Sequence, residues 1–145
     1  MQTFVAERLG RVVIIGLKPG DLILESITSE IQRLGIKNAI VTSGIAATSH
    51  MRWHHIHDTS PWPQDDIYET DGAMEIGGIG GLVIDGTPHL HCTFADHNRA
   101  WAGHLEMGCV VQYVGEISII EVLDLDLARV ADDHGVKTIQ AKPGD

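Results

Sequence analysis

Residues 85–94 read Asp-Gly-Thr-Pro-His-Leu-His-Cys-Thr-Phe and decide the fold of the second half of the chain. Asp-Gly between two apolar runs is a strong signal for a tight hairpin turn. The turn predicts that Ala73–Ile84 and His89–Phe94 are paired strands. A second polar turn at Asp96–Arg99 leads into Leu105–Val114, and Glu116–Val122 continues or follows this last strand. Because the connections are short, this half is predicted to be an antiparallel sheet.

The same stretch contains a candidate metal site. His89 and His91 are two residues apart on a strand, so their side chains leave the same face. The following turn brings His104 opposite or diagonal to them on the returning strand. Three imidazole ligands leave a coordination position open, as in catalytic rather than structural zinc sites. If the spacing alone is considered, the alternative is that the three histidines form a polar patch that holds no ion.

The N-terminal third is predicted to form a β-α-β unit. Arg11–Leu17 is a short β-branched run, ended by a Lys-Pro-Gly turn, and Asn38–Thr42 is a second strand. Between them, Asp21 is the predicted helix N-cap and Gly35 the predicted left-handed C-terminal residue. The apolar residues at helical spacing are Leu24, Ile27, Ile31 and Leu34. The fold class is therefore α/β (α+β), with a mostly antiparallel sheet.

Two segments are predicted without regular strands. Asp58–Asp66, which contains Pro61 and Pro63, is predicted to be a loop. The polar tail from Asp124 to Asp145 is predicted to be a short helix or turn with a frayed end.

Composition limits the classes of function. A chain of 145 residues predicts one domain, 1–145, with a core at about 8–139. The net charge of −10 repels nucleic-acid phosphate, so nucleic acid is not an expected partner. Without a secretory signal or an apolar run of about 20 residues, no membrane contact and a cytoplasmic location are expected. Cys92 and Cys109 are predicted to be buried thiols.

Several motifs together resemble the plants-and-prokaryotes conserved (PPC) domain. The most specific are Pro88-His89-x-His91 and Gly103-His104-Leu105. The resemblance implies an α/β domain that assembles as a homotrimer, with the three histidines gathered on one sheet. It also implies kinship with the acetolactate decarboxylase fold, in which a similar histidine set holds catalytic zinc. The other motifs are Glu75-Ile76…Gly81, Gly108-x-Val110-Val111, Glu116-x-x-Ile119, Lys18-Pro19-Gly20-Asp21, Gly35-Ile36, Ser43-Gly44-Ile45 and, loosely, Arg129-x-x-Asp132-x-x-Gly135.

The chain departs from the family pattern in three places. The basic AT-hook of plant members, which grips the DNA minor groove, is absent from the sequence. Ala102 stands where the family usually has a glycine, and residues 50–57 are unusually rich in histidine. The first departure removes the main reason to expect DNA binding.

Further side chains are candidates for supporting roles. Glu75 is the candidate general acid/base, with a structural carboxylate as the alternative. Arg99 is a candidate for holding a substrate carboxylate, with an ordinary turn arginine as the alternative. Glu106 is a fallback acid/base or a partner of the third histidine. The candidates for an additional ligand or a substrate contact, or else solvated residues, are His54, His55 and His57.

The sequence therefore predicts a protein that binds a divalent metal at His89, His91 and His104, with zinc as the expected ion. Iron, nickel, copper and cobalt also accept imidazole ligands. If the protein is an enzyme, it would be a metal-dependent hydrolase or lyase that acts on a small oxygenated substrate. The alternative is a non-catalytic trimeric PPC module with a DNA-binding or regulatory role.

Overall fold

The computed structural model describes residues 1–62 and 64–143. The described part contains one helix and eight strands, and no helix in it is long and apolar enough to cross a membrane. The elements are β1 (Leu9–Leu17), α1 (Ile23–Leu34), β2 (Asn38–Ile56), β3 (Asp65–Ile84), β4 (Thr87–Ala95), β5 (Ala100–Leu105), β6 (Val110–Val122), β7 (Leu127–Ala131) and β8 (Lys137–Ala141).

Six strands form one antiparallel sheet in the order β1-β6-β2-β3-β4-β5, which confirms the mostly antiparallel prediction. The sheet does not end at β5, because β5 also pairs with the C-terminal part of β2. Strand β2 is long enough, at 19 residues, to pair with β6 near its start and with β5 near its end. The β2-β3-β4-β5 part of the sheet thus curls until it closes on itself.

The predicted β-α-β unit is present, with β6 between its two strands. Both β1 and β2 pair antiparallel with β6, so they run parallel to each other. Gly35 ends α1 in the left-handed conformation (φ 67°) as predicted. The predicted N-cap is wrong: Leu22 occupies that position, and the Asp21 carboxylate instead accepts a hydrogen bond from the Lys18 amide (2.8 Å). Asp21 therefore stabilises the turn before the helix.

Several strand boundaries differ from the prediction. Strand β3 begins at Asp65, eight residues before the predicted start at Ala73, so Asp65 and Asp66 of the predicted loop Asp58–Asp66 lie in a strand. Strand β2 continues far beyond Thr42, to Ile56. The predicted strand Leu105–Val114 is two elements, because a turn separates Leu105 from Val110. Gly108 adopts φ +101° in this turn, which is a conformation that breaks a strand.

The tail is also corrected, because it forms the β7–β8 hairpin rather than a helix or frayed turn. Its turn is stabilised by the Asp132 carboxylate, which accepts hydrogen bonds from the amides of His134 and Val136 (both 2.9 Å). Such side-chain-to-backbone bonds are typical of aspartate in turns. Residues of the predicted loop and tail that lie outside the described part are Pro63, Gly144 and Asp145.

The core lies inside the curled sheet and beneath the helix. On β4, Leu90, Cys92 and Phe94 are buried, whereas the histidines between them point outward. Trp53 of β2 contacts Phe94 edge-on (4.9 Å between ring centroids) and lies 6.0 Å from Trp101 of β5. These aromatic contacts join three strands across the closure. Ile23, Ile27 and Ile31 of α1 are fully buried against the sheet.

The two cysteines are buried and unpaired, as predicted. Burial raises the pKa of the Cys92 thiol to about 12 and that of Cys109 to about 11. Thiols with such pKa values stay protonated at neutral pH and act as small apolar groups.

Gly81 allows β3 and β4 to approach each other beside the histidines. It adopts φ +148°, and a Cβ atom at this position would overlap the carbonyl oxygen of His89. Only glycine tolerates both conditions without moving the β4 backbone.

We predict that Gly81→Ala lowers the free energy of unfolding by about 2 kcal/mol or more, because it adds backbone strain and a steric overlap. Gly77→Ala is the matched control on the same strand, since a Cβ there meets nothing within 4 Å. The control should change stability by less than about 0.5 kcal/mol. Urea unfolding of both variants provides the measurement, and equal stability of the two would contradict this role of Gly81.

Candidate metal centre

Three strands bring histidines into one row on the outer face of the closed sheet. His91 of β4 is paired with His104 of β5, and His104 is paired with His54 of β2. His89 precedes His91 by two residues, so it lies on the same face one step along β4. The closure of the sheet therefore brings together four imidazoles that are spread over residues 54–104 of the sequence.

His104 is the ring around which the other three are grouped. The centroid of His104 lies 4.8 Å from that of His89 and 5.4 Å from that of His91. The rings of His89 and His91 are 5.6 Å apart and nearly parallel. His54 stacks on His104 at 4.3 Å. The structure thus brings the three predicted ligand residues together and adds His54 to them.

Glu106 is the carboxylate of this cluster. Its Oε1 atom lies 2.6 Å from Nδ1 of His54 and 3.5 Å from Nδ1 of His104. Asp65 is nearby, with its Oδ1 3.5 Å from Nε2 of His54. In the described part of the chain, the donor set whose ligand atoms all lie within 4.8 Å of one another is His54, His104 and Glu106. A histidine–glutamate cluster that could hold a metal ion is therefore present, and it shares only His104 with the predicted three-histidine set, whose ligand atoms do not meet this distance criterion.

The environment favours uncharged imidazoles. The pKa of His104 is lowered to about 4, mainly by burial and also by the neighbouring His54 and His89, whereas Glu106 opposes the shift. Burial is also the main cause of the lowered pKa values of His89 and His91. Arg129 adds to the effect at His89, and His54 adds to it at His91. Neutral imidazole is the form that binds a metal ion.

One atom of the cluster lacks a partner, which bears on whether an ion fits. Nδ1 of His104 is buried and accepts or donates no hydrogen bond in the described part of the chain. A buried polar atom without a partner costs free energy and usually marks a functional position or an unseen ion or water. The neutral rings and this atom are therefore compatible with a divalent cation.

Close backbone packing at Gly103 sets the position of His104. A Cβ atom at Gly103 would lie 2.7 Å from the carbonyl oxygen of His54 and 2.8 Å from Cδ1 of Trp53. Since real Cβ atoms do not approach other atoms this closely, a larger residue would push β5 away from β2. The glycine next to the third histidine thus permits the contact between His104 and His54.

Other predicted site residues lie elsewhere within the chain. Glu75 is exposed and paired with Ala95, about 15 Å along the ladder from the Gly80–His91 pair. Arg99 lies in the β4–β5 turn, where its amide donates to the Asp96 carboxylate. The two remaining histidine candidates have their own partners: Nε2 of His55 contacts the Ala102 carbonyl oxygen, and Nδ1 of His57 lies 3.0 Å from Asp66. Glu116 is exposed on β6, opposite Ile45.

Two cations beside the histidines were not predicted as site residues, although Arg129 belongs to one of the loosely matching motifs. Arg129 of β7 and Lys137 of β8 line a cleft of about 310 Å³ together with His89 and His91. Residues 127–131, Leu-Ala-Arg-Val-Ala, do not alternate between apolar and polar side chains, so the signal for a strand in this part of the tail was weak. It gave no indication of where that strand packs.

The family model of the Plants and Prokaryotes Conserved (PCC) domain matches residues 5–123 of the chain. A curated relative, the bifunctional protein GlmU of a Synechococcus species, is 31% identical over 70 residues, or 48% of this chain. The chain spans only 11% of the length of that relative.

Solved structures resemble nearly the whole chain. A metal-containing protein from Archaeoglobus fulgidus has a TM-score of 0.83 and 20% identity, over 95% of this chain and 98% of its own. A plant- and prokaryote-conserved (PPC) protein from Pyrococcus horikoshii has a TM-score of 0.80 and 21% identity, over 99% of both chains. A candidate DNA-binding protein from Bacteroides thetaiotaomicron has a TM-score of 0.78 and 20% identity, over 94% of this chain and 96% of its own. At these identities the likeness shows the fold alone. The family model that matches residues 5–123 establishes that the chain belongs to the Plants and Prokaryotes Conserved domain family, which is abbreviated both PCC and PPC, and the shared fold agrees with this.

Proposed function

We propose that this PPC-domain protein binds one divalent metal ion per chain, with His89, His91 and His104 as its ligands and zinc as the expected ion. The observation that supports this most strongly is the contact among three largely neutral imidazoles on the outer face of the sheet. Their lowered pKa values favour metal binding over protonation at neutral pH. The metal-containing relative from Archaeoglobus fulgidus supports the same proposal.

Glu106 and His54 would orient the ligands rather than replace them. Histidines that bind metals commonly direct their second ring nitrogen to a carboxylate, which fixes the ring and raises its basicity. Glu106 is the carboxylate near His104 for this role: its Oε1 lies 3.5 Å from Nδ1, which makes no hydrogen bond to it in this structure, and it is itself held by His54 at 2.6 Å. A set of His54, His104 and Glu106 is the competing arrangement, and the variants below distinguish the two.

A divalent ion held by three neutral imidazoles supplies Lewis acidity toward an oxygen atom of a small molecule. Hydrolase or lyase chemistry stays a prediction from the sequence. If a general acid/base is needed, Glu106 is the carboxylate at the cluster, whereas Glu75 would have to approach from another copy of the chain.

For protein purified without a polyhistidine tag, we predict about one zinc ion per chain by elemental analysis. Substituting His89, His91 or His104 by alanine should weaken zinc binding by at least about 100-fold, since each removes a ligand. Glu106→Gln should weaken it by about 10- to 100-fold, as is typical of partners that orient a ligand. His57→Ala is the matched control, because this exposed histidine is paired with Asp66 outside the cluster.

Zinc lost equally in the His57→Ala control would contradict a specific site. If His54→Ala abolished binding while His89→Ala retained it, the ion would belong to the competing set of His54, His104 and Glu106. Less than about one third of an ion per chain in the unaltered protein would overturn the proposal.

A second candidate is a non-catalytic module with a regulatory or DNA-binding role, and the comparisons favour it over an enzyme. The relative from Bacteroides thetaiotaomicron is described as a candidate DNA-binding protein. The charge of this chain is unfavourable, because its 20 acidic residues outnumber its 10 lysines and arginines. DNA affinity depends mainly on basic residues that neutralise phosphates.

For both candidate functions, we propose that the chain assembles as the homotrimer that the family resemblance implies. Its support is a row of paired, outward-facing apolar residues that crosses four strands and ends at His89. The row consists of Val12, Ile120, Ile40 and Leu82. Val12 is 67% exposed and Ile40 41%, which is a large apolar surface for a single chain to leave in water. The mass of the particle in solution would test this.

A salt titration of DNA binding separates the candidates. We predict no sequence-specific binding to duplex DNA at about 150 mM salt, because a chain of net charge −10 is repelled by the DNA phosphates. Fluorescence anisotropy with several duplexes is the measurement. Tight binding to one sequence, with an affinity that falls steeply as salt rises, would instead establish the DNA-binding role.

A further inference from the structure

A cleft of about 310 Å³ opens beside the proposed ligands His89 and His91, between β4 and the β7–β8 hairpin. Its other side is formed by Arg129 and Lys137. Arg129 is opposite Ile139 in the hairpin register, and Lys137 is two residues before Ile139, so both cations lie on the hairpin face that meets the sheet.

Arg129 is held rigidly at this place. Its Nη1 donates to the carbonyl oxygen of Thr87 (2.8 Å), and its Nη2 donates to that of Leu82 (3.1 Å). Leu82 is paired with His89, so the guanidinium is anchored on the same rung of the sheet as a proposed ligand. A guanidinium has five N–H donors, and these two bonds leave the others for a ligand.

In the described part of the chain, neither cation has a carboxylate partner. Within residues 1–62 and 64–143, no aspartate or glutamate oxygen lies within 4.0 Å of the side-chain nitrogens of Arg129 or Lys137. What distinguishes these two cations is that they lie together in one cleft beside His89 and His91. In a chain of net charge −10, two unpaired cations in one cleft create a local site for an anion.

We propose that Arg129 and Lys137 form an anion-binding subsite for the carboxylate or phosphate group of a small molecule whose other oxygen reaches the proposed metal site. This inference rests on the proposed function and deepens it, because it names the class of ligand. Guanidinium is suited to both anions, since its planar fork matches two oxygens of either group. The small volume of the cleft limits the ligand to a few heavy atoms near the histidines.

Calorimetric titration of the zinc-loaded protein tests the subsite with three probes: glycolate, its neutral counterpart glycolamide, and inorganic phosphate. We expect glycolate or phosphate to bind and glycolamide to bind at least about tenfold more weakly, because it lacks the charge. Arg129→Gln should weaken anion binding by about tenfold and Lys137→Gln by about threefold. Tighter binding of phosphate than of glycolate, lost in the same variants, would assign the subsite to phosphate esters.

Two further variants keep the test decisive. Arg8→Gln removes the same charge from an exposed position just before β1, outside the cleft, and should leave anion affinity unchanged. Arg129→Lys keeps the positive charge and replaces Arg129→Gln if that variant loosens the hairpin, whereas Lys137→Gln alters only an exposed side chain. Anion affinity in Lys137→Gln and Arg129→Lys equal to that of the unaltered protein, or equal weakening by Arg8→Gln, would overturn the subsite.

Zinc content is measured on every sample, so the two proposals fail in different ways. Absence of zinc from the unaltered protein overturns the proposed function. If the unaltered protein contains zinc but substituting Arg129 or Lys137 leaves anion affinity unchanged, only this inference is overturned.

Discussion

The pairing of β5 with the end of β2 is the interaction on which the candidate site depends. It places His104 beside His54 and, through the β4–β5 ladder, opposite His91. Gly103 permits the two backbones to approach this closely, and the contacts of Trp53 with Phe94 and Trp101 fill the space behind them. Without this closure, His104 would lie on an open sheet edge and His54 on a distant strand.

The local parts of the site could be predicted from the sequence. His89 and His91 share a face because strand side chains alternate, and the turn at Asp96–Arg99 fixes which strand follows. The helix with its C-terminal Gly35 was equally predictable from spacing. His54 was only one of several histidine candidates, because its position depends on the pairing of strands about fifty residues apart, and such pairings leave no local pattern.

Other features were missed for the same physical reason. The β7–β8 hairpin was expected to be a helix or frayed turn, although Arg129 and Lys137 reach the histidine face through it. Glu75 is near the motif residues in sequence yet separated from the histidines along the β3–β4 ladder. Glu106, by contrast, was predicted as a fallback acid/base or a partner of the third histidine, and its carboxylate lies between His54 and His104. Its position two residues after His104 was thus a better guide to the carboxylate of the site than the motif that contains Glu75.

The charges of the cluster explain how an acidic chain could present a site for an anion. The pKa values of His89, His91 and His104 are lowered, which favours neutral rings. Glu106 lies on the His54 side, and two cations without a carboxylate partner in the described part of the chain lie on the His89 side. A bound divalent ion would add positive charge without a carboxylate ligand to cancel it. The most direct test is a crystal structure of zinc-loaded protein with anomalous diffraction at the zinc absorption edge. The account predicts a peak about 2.0–2.1 Å from one nitrogen each of His89, His91 and His104. A peak bound by His54 and Glu106 instead, or no peak at the cluster, would contradict it.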